Sequence, residues 1–441
     1  MARDEFGEAL ADQPLLRGGL ALAGLAATRA LPGVRRHPNS HSLLFRLYGR
    51  ALNRYVDRRI EKAVWNDHRA ELSGQSTGLW AAYDSEIARA VASYRSGRPL
   101  QLLGARILVV KSSKPRERGV IVVDYSYVFA LLAGLFDLQA IAERYHVVLE
   151  PSWRGVATPE ILLYSRLDVP VFVETVEPRD QAFLAGGPWS LRSVPIGANF
   201  WVDPRQAASP TEVRDIDVIM VASWSSVKRH WRVFRALAEL RRRGHRLKVA
   251  LVGYRTDKTL DDIREEAAYM GVADQITLYE GLKQHEVGAL LARSKVHVLW
   301  SRQECSNRAV IEAMLADVPV LVRQGLTYGY RYPYVNPLTG RFVAEHDLPD
   351  AILDTIARRS EFSPRSWVLE NMTPAHATAI LEQAIQREAT ALGEEWSDGL
   401  VVRTASLHTQ AYWNPSDREQ FRNDYQYLGA CARSQVAPPP W

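Results

Sequence analysis

Cysteine is almost absent from this chain: Cys305 and Cys431 are the only two in 441 residues, far apart and in no metal-ligand spacing. That excludes a disulfide framework and a thiolate metal site, and it fits a reducing cytoplasm. Long apolar runs are absent as well. The most apolar N-terminal stretch, GGLALAGLAATRALPG, holds eleven uncharged residues from Gly18 to Thr28 before Arg29. A helix that crosses a bilayer needs about 20 apolar residues, and no secretory signal is evident, so a cytoplasmic protein is expected. No strand is followed by a GxGxxG loop, which argues against a dehydrogenase. A large excess of one charge is lacking too. The formal charge of +5 gives no support for a dedicated nucleic-acid protein.

What the chain does have is core-forming material. With 47% hydrophobic and 24% charged residues it is globular, and its length suits two domains with extensions. Its charge is uneven. From Gln13 to Ile60 there are nine arginines and a single acid, Asp57, a local charge of +8. Here Arg46, Arg50, Arg54 and Arg58 recur every four residues beside Leu44, Leu47, Tyr48, Leu52, Tyr55 and Val56. Two readings stand open: a helix lying on an anionic membrane surface, or a helix packed on the protein with a solvated basic face.

From Ala105 short β-branched runs alternate with helical stretches: ARILVVK, GVIVVDY, VFALLAGLFDLQAIAERY, HVVLEP, TPEILLYSRL, PVFVET. This alternation predicts a parallel sheet covered on both faces. The proline-bearing stretch at 199–210 reads as a linker. A clearer series follows, with strands DIDVIMVA, LKVALVG, QITLYEG, KVHVLW and VPVLVR and a helix closed by Gly244. The expected organisation is a helical basic extension at 1–104, Rossmann-like α/β domains at 105–206 and 207–391, and a tail at 392–441 packed across them. In such sheets ligands bind at the strand carboxyl ends.

Two loops there draw notice. After KVHVLWS comes RQECSN, and a helix opens near Asn307 or Arg308, an end whose free amides attract a phosphate. Ser306 and Asn307 suit a cap. Glu304 lies in the loop, and Glu312 sits on the helix among apolar residues, where an acid is costly without a partner. A ribose diol would be such a partner; a surface acid and an arginine pair is the alternative reading. The second loop, VASWSSVKRHW, presents Lys228, Arg229 and His230 at another helix start. Gly253 ends the strand LKVALVG and would let a ligand approach the backbone.

Over about 130 residues, from Asp215 to Val343, these pieces and their order resemble the donor-binding half of a family 4 glycosyltransferase, a retaining enzyme of GT-B fold. The resemblance implies two Rossmann-like domains facing across a cleft and a nucleotide-diphosphate sugar as donor. It implies that Glu304 contacts the donor sugar, Glu312 the ribose and Lys228 the diphosphate, with Arg229, Gly253, Ser306, Asn307 and Arg308 completing the donor site. No metal or other cofactor is implied. The family arginine before the lysine is missing: Ala222 and Ser223 stand there, leaving Arg229, Arg255 or Arg308 to supply the charge. Asn307 and Asp317 replace family glycines. On the acceptor side the Gly-Gly loop and histidine are missing, His146 reads as core, and Asp124, Tyr125 and Tyr127 are the candidates. The expected activity is transfer to a lipid-linked or polysaccharide precursor, with peripheral membrane contact through residues 13–60. The alternatives are a catalytically silent protein that binds nucleotide sugar or scaffolds a partner, and a phosphorylase or epimerase on the same fold.

Overall fold

The computed structural model describes residue 23 and residues 54–433, apart from 76, 95, 153, 154, 212, 327–332, 407 and 408. The chain divides into two units, one running up to Ala198 and resuming at Ala377, the other Asn199–His376.

In the first unit, helices α1 (Arg54–Leu72) and α2 (Leu79–Ser93) precede a sheet. Helix α1 turns Ala63, Val64 and His68 inward, and His68 Nε2 lies 2.9 Å from Tyr83 Oη. Arg58, Arg59 and Arg69 stay on its exposed side. This part of the basic stretch is therefore a packed helix; Arg46, Arg50 and the leucines beside them lie outside the described residues.

The elements that follow are β1 (Ile107–Lys111), β2 (Gly119–Asp124), α3 (Ser126–Leu135), α4 (Leu138–Arg144), β3 (Tyr145–Glu150), α5 (Pro159–Leu162), β4 (Val171–Glu174), α6 (Pro178–Gly186) and β5 (Leu191–Val194). The sheet runs in sequential order from β1 to β5. Strands β2 to β5 are parallel, but β1 pairs with β2 antiparallel, which corrects the expectation of a parallel sheet throughout. The reason is the connection: a parallel crossover needs a dozen or more residues, and only residues 112–118 join these strands. The single helix expected after β2 is two, because Asp137 starts a new one by accepting from the Ala140 N–H at 3.1 Å.

The second unit contains β6 (Ile216–Val221), α7 (His230–Arg242), β7 (Val249–Gly253), α8 (Leu260–Tyr269), β8 (Ile276–Glu280), α9 (Gln284–Ala292), β9 (Ser294–Leu299), α10 (Arg308–Leu315), β10 (Val320–Arg323), β11 (Gly340–Val343), α11 (Leu348–Ala357) and α12 (Pro364–Asn371). Its strands are parallel in the order β11-β10-β9-β6-β7-β8. This is the doubly wound Rossmann order. Val218 and Met220 pack with α7, α8 and α11 on one face; Ile219 joins α9, α10 and α12 on the other. Helix α7 shows why its sequence folds this way: His230, Val233, Phe234, Leu237 and Leu240 fall on one buried stripe. Gly244, at φ 88°, follows it in the left-handed conformation that glycine adopts most readily. The stretch 199–210 is not a free linker, since Asn199 and Trp201 are buried.

From Ala377 the first unit resumes through α13 (Pro374–Ala391), β12 (Arg403–Ala405), β13 (Gln410–Tyr412) and α14 (Arg422–Ala430). These late elements complete its core. Arg403, 1% exposed, reaches Glu150 at 2.7 Å and Glu174 at 2.9 Å. His146 and Glu150 share one face of β3, and both bind late residues: His146 lies 3.1 Å from Glu394.

Candidate functional site

In the doubly wound sheet the chain runs outward from β6 to β8, then resumes on the other side at β9. The carboxyl ends of β6 and β9 are therefore neighbours, and the loops leaving them diverge to open a crevice. The loop after β6 forms a short turn, Ser226–Lys228, started by Ser225. Asp257 braces it by accepting from Ser226 N–H at 3.1 Å and Ser226 Oγ at 2.6 Å. Although burial works against it, those bonds hold the Asp257 carboxyl at about 2. The loop after β9 is tied to the same turn, with the Arg302 N–H donating to the Val227 carbonyl at 2.8 Å.

These ties bring Lys228 and Glu304 together. The Lys228 ammonium donates to Glu304 Oε1 at 2.5 Å, and the Ser301 hydroxyl donates to the same oxygen. Glu304 is 8% exposed, so its charge is held by a cation and a hydroxyl, as a buried carboxylate requires. Three residues on, Asn307 caps α10 by accepting from the Val310 N–H at 3.1 Å. The helix N-terminus that begins there carries a partial positive charge.

Glu312 is half-buried on α10. Burial pushes its carboxyl up, opposed by a hydrogen bond with Gln284 and by the charge of Arg308. Gln284 opens α9, so the helix starts after β8 and β9 meet at this acid. Ser306 is clasped by Asn199: its hydroxyl donates to Asn199 Oδ1 and accepts from the Asn199 N–H at 3.0 Å. The loops after β6 and β9 thus bring together a cation, a carboxylate and a hydroxyl, a set that suits a ligand with a charged group and several hydroxyls, and Glu312 follows on α10.

Other expected residues do different work. A Cβ on Gly253 would lie 2.3 Å from the Ala222 carbonyl oxygen and 2.9 Å from the Trp224 ring, so this glycine admits neighbouring chain. Trp224 is wholly buried and donates from Nε1 to Glu280 at 2.7 Å. Arg229 adopts φ 57°, ψ 44° at the start of α7, and its buried guanidinium pairs with Glu345 at 3.3 Å; Arg232 binds the same carboxylate. His230 is buried against Trp224, and burial pulls it down to about 3. Asp124, Tyr125 and Tyr127 lie in the first unit, at the carboxyl end of β2. Sequence reasoning missed Ser301, Gln284, Asn199 and Glu345. Ser301, next to the strand end, was open to a positional argument; the others pair over long sequence distances and leave no local pattern.

Residues 203–362 match the family model of glycosyl transferases group 1. The matched span covers β6 to α11, and with them both loops of the crevice. No curated protein matches the chain. Among solved structures, a sucrose-phosphate synthase from Thermosynechococcus elongatus is 16% identical over 62% of this chain and 74% of its own, at TM-score 0.47. Anabaena HepE, in complex with UDP and glucose, is 15% identical over 61% and 78%, at 0.46. A mutant of S. aureus TarM in complex with Fondaparinux, alpha-GlcNAc-glycerol and UDP is 13% identical over 56% and 51%, at 0.44, so this chain spans about half of the TarM length.

Proposed function

We propose that the protein is a retaining glycosyltransferase that takes a sugar from a nucleotide-diphosphate sugar. The observation that carries this reading is the meeting of Lys228 with Glu304 where β6 and β9 diverge, inside the span that matches glycosyl transferases group 1. Lys228 and the α10 N-terminus stabilise the diphosphate, and Arg308 adds charge. Glu304 accepts from sugar hydroxyls, and Glu312 accepts from the ribose diol. Ser306 and Asn307 shape the loop, while Arg229 and Gly253 shape the turn and strand end that carry Lys228.

The chemistry assigned to this set is a front-face displacement. The bond from the anomeric carbon to the diphosphate oxygen breaks as a bond to the acceptor oxygen forms on the same face. The acceptor proton passes to the departing diphosphate. The protein's share is orientation and charge stabilisation, and Lys228 meets the charge that grows on the leaving group. The test is turnover of a panel of nucleotide sugars with candidate acceptors, with proton NMR of the product. An α-linked product from an α-linked donor supports the reading; inversion rejects the front-face step. Donor binding without turnover against the whole acceptor panel would favour a binding or scaffold protein, a reading motivated by Ser223 in place of the family arginine.

The acceptor proposed is a lipid-linked or polysaccharide precursor, with the basic residues 13–60 holding the protein at an anionic membrane surface. Among the described residues no helix is long and apolar enough to cross a membrane. Deleting residues 1–60 is expected to abolish sedimentation with phosphatidylglycerol vesicles; unchanged sedimentation rejects the membrane contact.

A further inference from the structure

The first unit contains an open cavity of about 680 Å³ that the proposed chemistry does not use. Its walls are the turn joining β1 to β2, the end of α4, Glu394 after α13, and Tyr427 of α14. The turn leads into β2 and the helix leads into β3, and these strands are parallel. The cavity therefore opens at the amino ends of the strands, opposite to the edge where ligands of such sheets bind.

Four cations line it, and three of them have carboxylate partners. Arg118 donates from Nε to Glu394 at 2.9 Å, and His146 lies 3.1 Å from the other oxygen of that carboxylate. Lys114 pairs with Asp398, and Arg116 pairs with Glu395 at 3.1 Å. Arg144 is the exception. Its Nε donates to the Ser113 hydroxyl at 2.6 Å, and its guanidinium lies 4.1 Å from the centre of the Tyr427 ring. Among the described residues it makes no ion pair, and Nη1 and Nη2 meet no acceptor. Both props are themselves held: the Tyr427 hydroxyl donates to the Ala140 carbonyl at 3.1 Å, and the Ser113 N–H donates to Asp424 at 3.2 Å.

The acids nearby are engaged elsewhere. Glu117 takes Lys111 at 2.7 Å and the Ser397 N–H at 2.7 Å. Asp424 also receives the hydroxyls of Tyr145 and Ser112, and Glu143 accepts from the Gln139 amide at 3.1 Å. A guanidinium held by its Nε and by one face, with the Nη1–Nη2 edge open, matches an oxyanion that accepts both N–H groups in parallel. The Lys114–Asp398 and Arg116–Glu395 pairs are exposed. Exposed pairs contribute little, so both cations can turn to a bound anion at small cost.

We infer that this cavity is a ligand site of the first unit, which binds a small oxyanion, a phosphate ester or a carboxylate, on the open edge of Arg144 with Lys114 and Arg116 beside it. The inference stands independently of the glycosyltransferase reading. Ser113 and Tyr427 are positioning residues that aim the guanidinium.

The experiment is isothermal titration of the full chain with glycerol 3-phosphate and with succinate, at constant ionic strength and with glycerol as the uncharged control. At least one anion is expected to bind, and the tighter of the two names the class. Arg144→Gln should weaken that binding at least tenfold. Arg144→Lys, which keeps the charge and loses the two-donor edge, should recover only part of it. Ser113→Ala leaves every charge in place and should weaken binding at least threefold; it decides the matter if Arg144→Gln loses its near-ultraviolet circular dichroism. Arg242→Gln alters an exposed arginine of the second unit and should change binding less than twofold. No binding of either anion overturns the inference, as does binding that survives Arg144→Gln but is lost in Lys228→Met, which assigns the anion to the donor crevice. Equal losses in Arg144→Gln and Arg242→Gln, the mark of general charge attraction, overturn it as well.

Discussion

A single buried acid shows how tightly this crevice is tuned. Glu304 has the Lys228 ammonium and the Ser301 hydroxyl on one oxygen. Lys228→Met removes a charge-assisted bond of about 1.5–3 kcal/mol and leaves a carboxylate with a single hydroxyl. A lower melting temperature is expected in calorimetry, and Glu304→Gln in the same background should recover part of it. Gly253 is a second residue-scale case. Gly253→Ala places a methyl group against the Ala222 carbonyl and the Trp224 ring, at an expected cost of about 1–3 kcal/mol in urea unfolding. The glycine in LKVALVG signals a close approach of backbone, and in the fold the Ala222 carbonyl and the buried Trp224, three residues beyond the neighbouring strand, make one. Nothing in VASWSSV marks Trp224 as inward-facing, because a lone aromatic in a polar loop carries no periodicity.

At the scale of elements, the second unit was largely legible. Most of its strands are short and rich in β-branched and apolar residues, α7 is amphipathic, and the loops after β6 and β9 follow from the doubly wound order. The first unit was less so. Seven residues between β1 and β2 already implied an antiparallel pair, and the length of that connection was the overlooked signal. The role of the late elements was hidden for another reason: Arg403 meets Glu150 and Glu174 across more than two hundred residues, and ion pairs at that separation leave no trace in local pattern. Arg403→Met should remove the guanidinium that two buried carboxylates share, a loss of about 3–5 kcal/mol. Near-ultraviolet circular dichroism should show the first unit loosening; an unchanged transition would mean that Gln410 and solvent suffice.

For the whole molecule, acid sensitivity follows from two histidines in the second unit. His230 and His297 are buried, and burial pulls each to about 3, below the value of about 6.5 expected in the unfolded chain. Unfolding therefore takes up protons between those limits. The stability these groups contribute is fully present above about pH 6.5 and is lost as pH falls toward 3. His297→Phe removes one of them and should flatten the acid limb of a plot of unfolding free energy against pH. A parallel shift with unchanged slope would count against it.

The central claim is that the second unit holds a nucleotide-diphosphate sugar between Lys228, Glu304 and Glu312. Its most direct test is a thermal-shift screen of nucleotide diphosphates and their sugars on the wild-type chain and on Glu312→Ala. A ligand at a hundredfold excess over its dissociation constant adds about 2.7 kcal/mol to the folded state. One nucleotide series is expected to raise the wild-type melting temperature and to do so much less for Glu312→Ala. Stabilisation that is equal in both proteins, or absent from both while both are folded, would contradict the account.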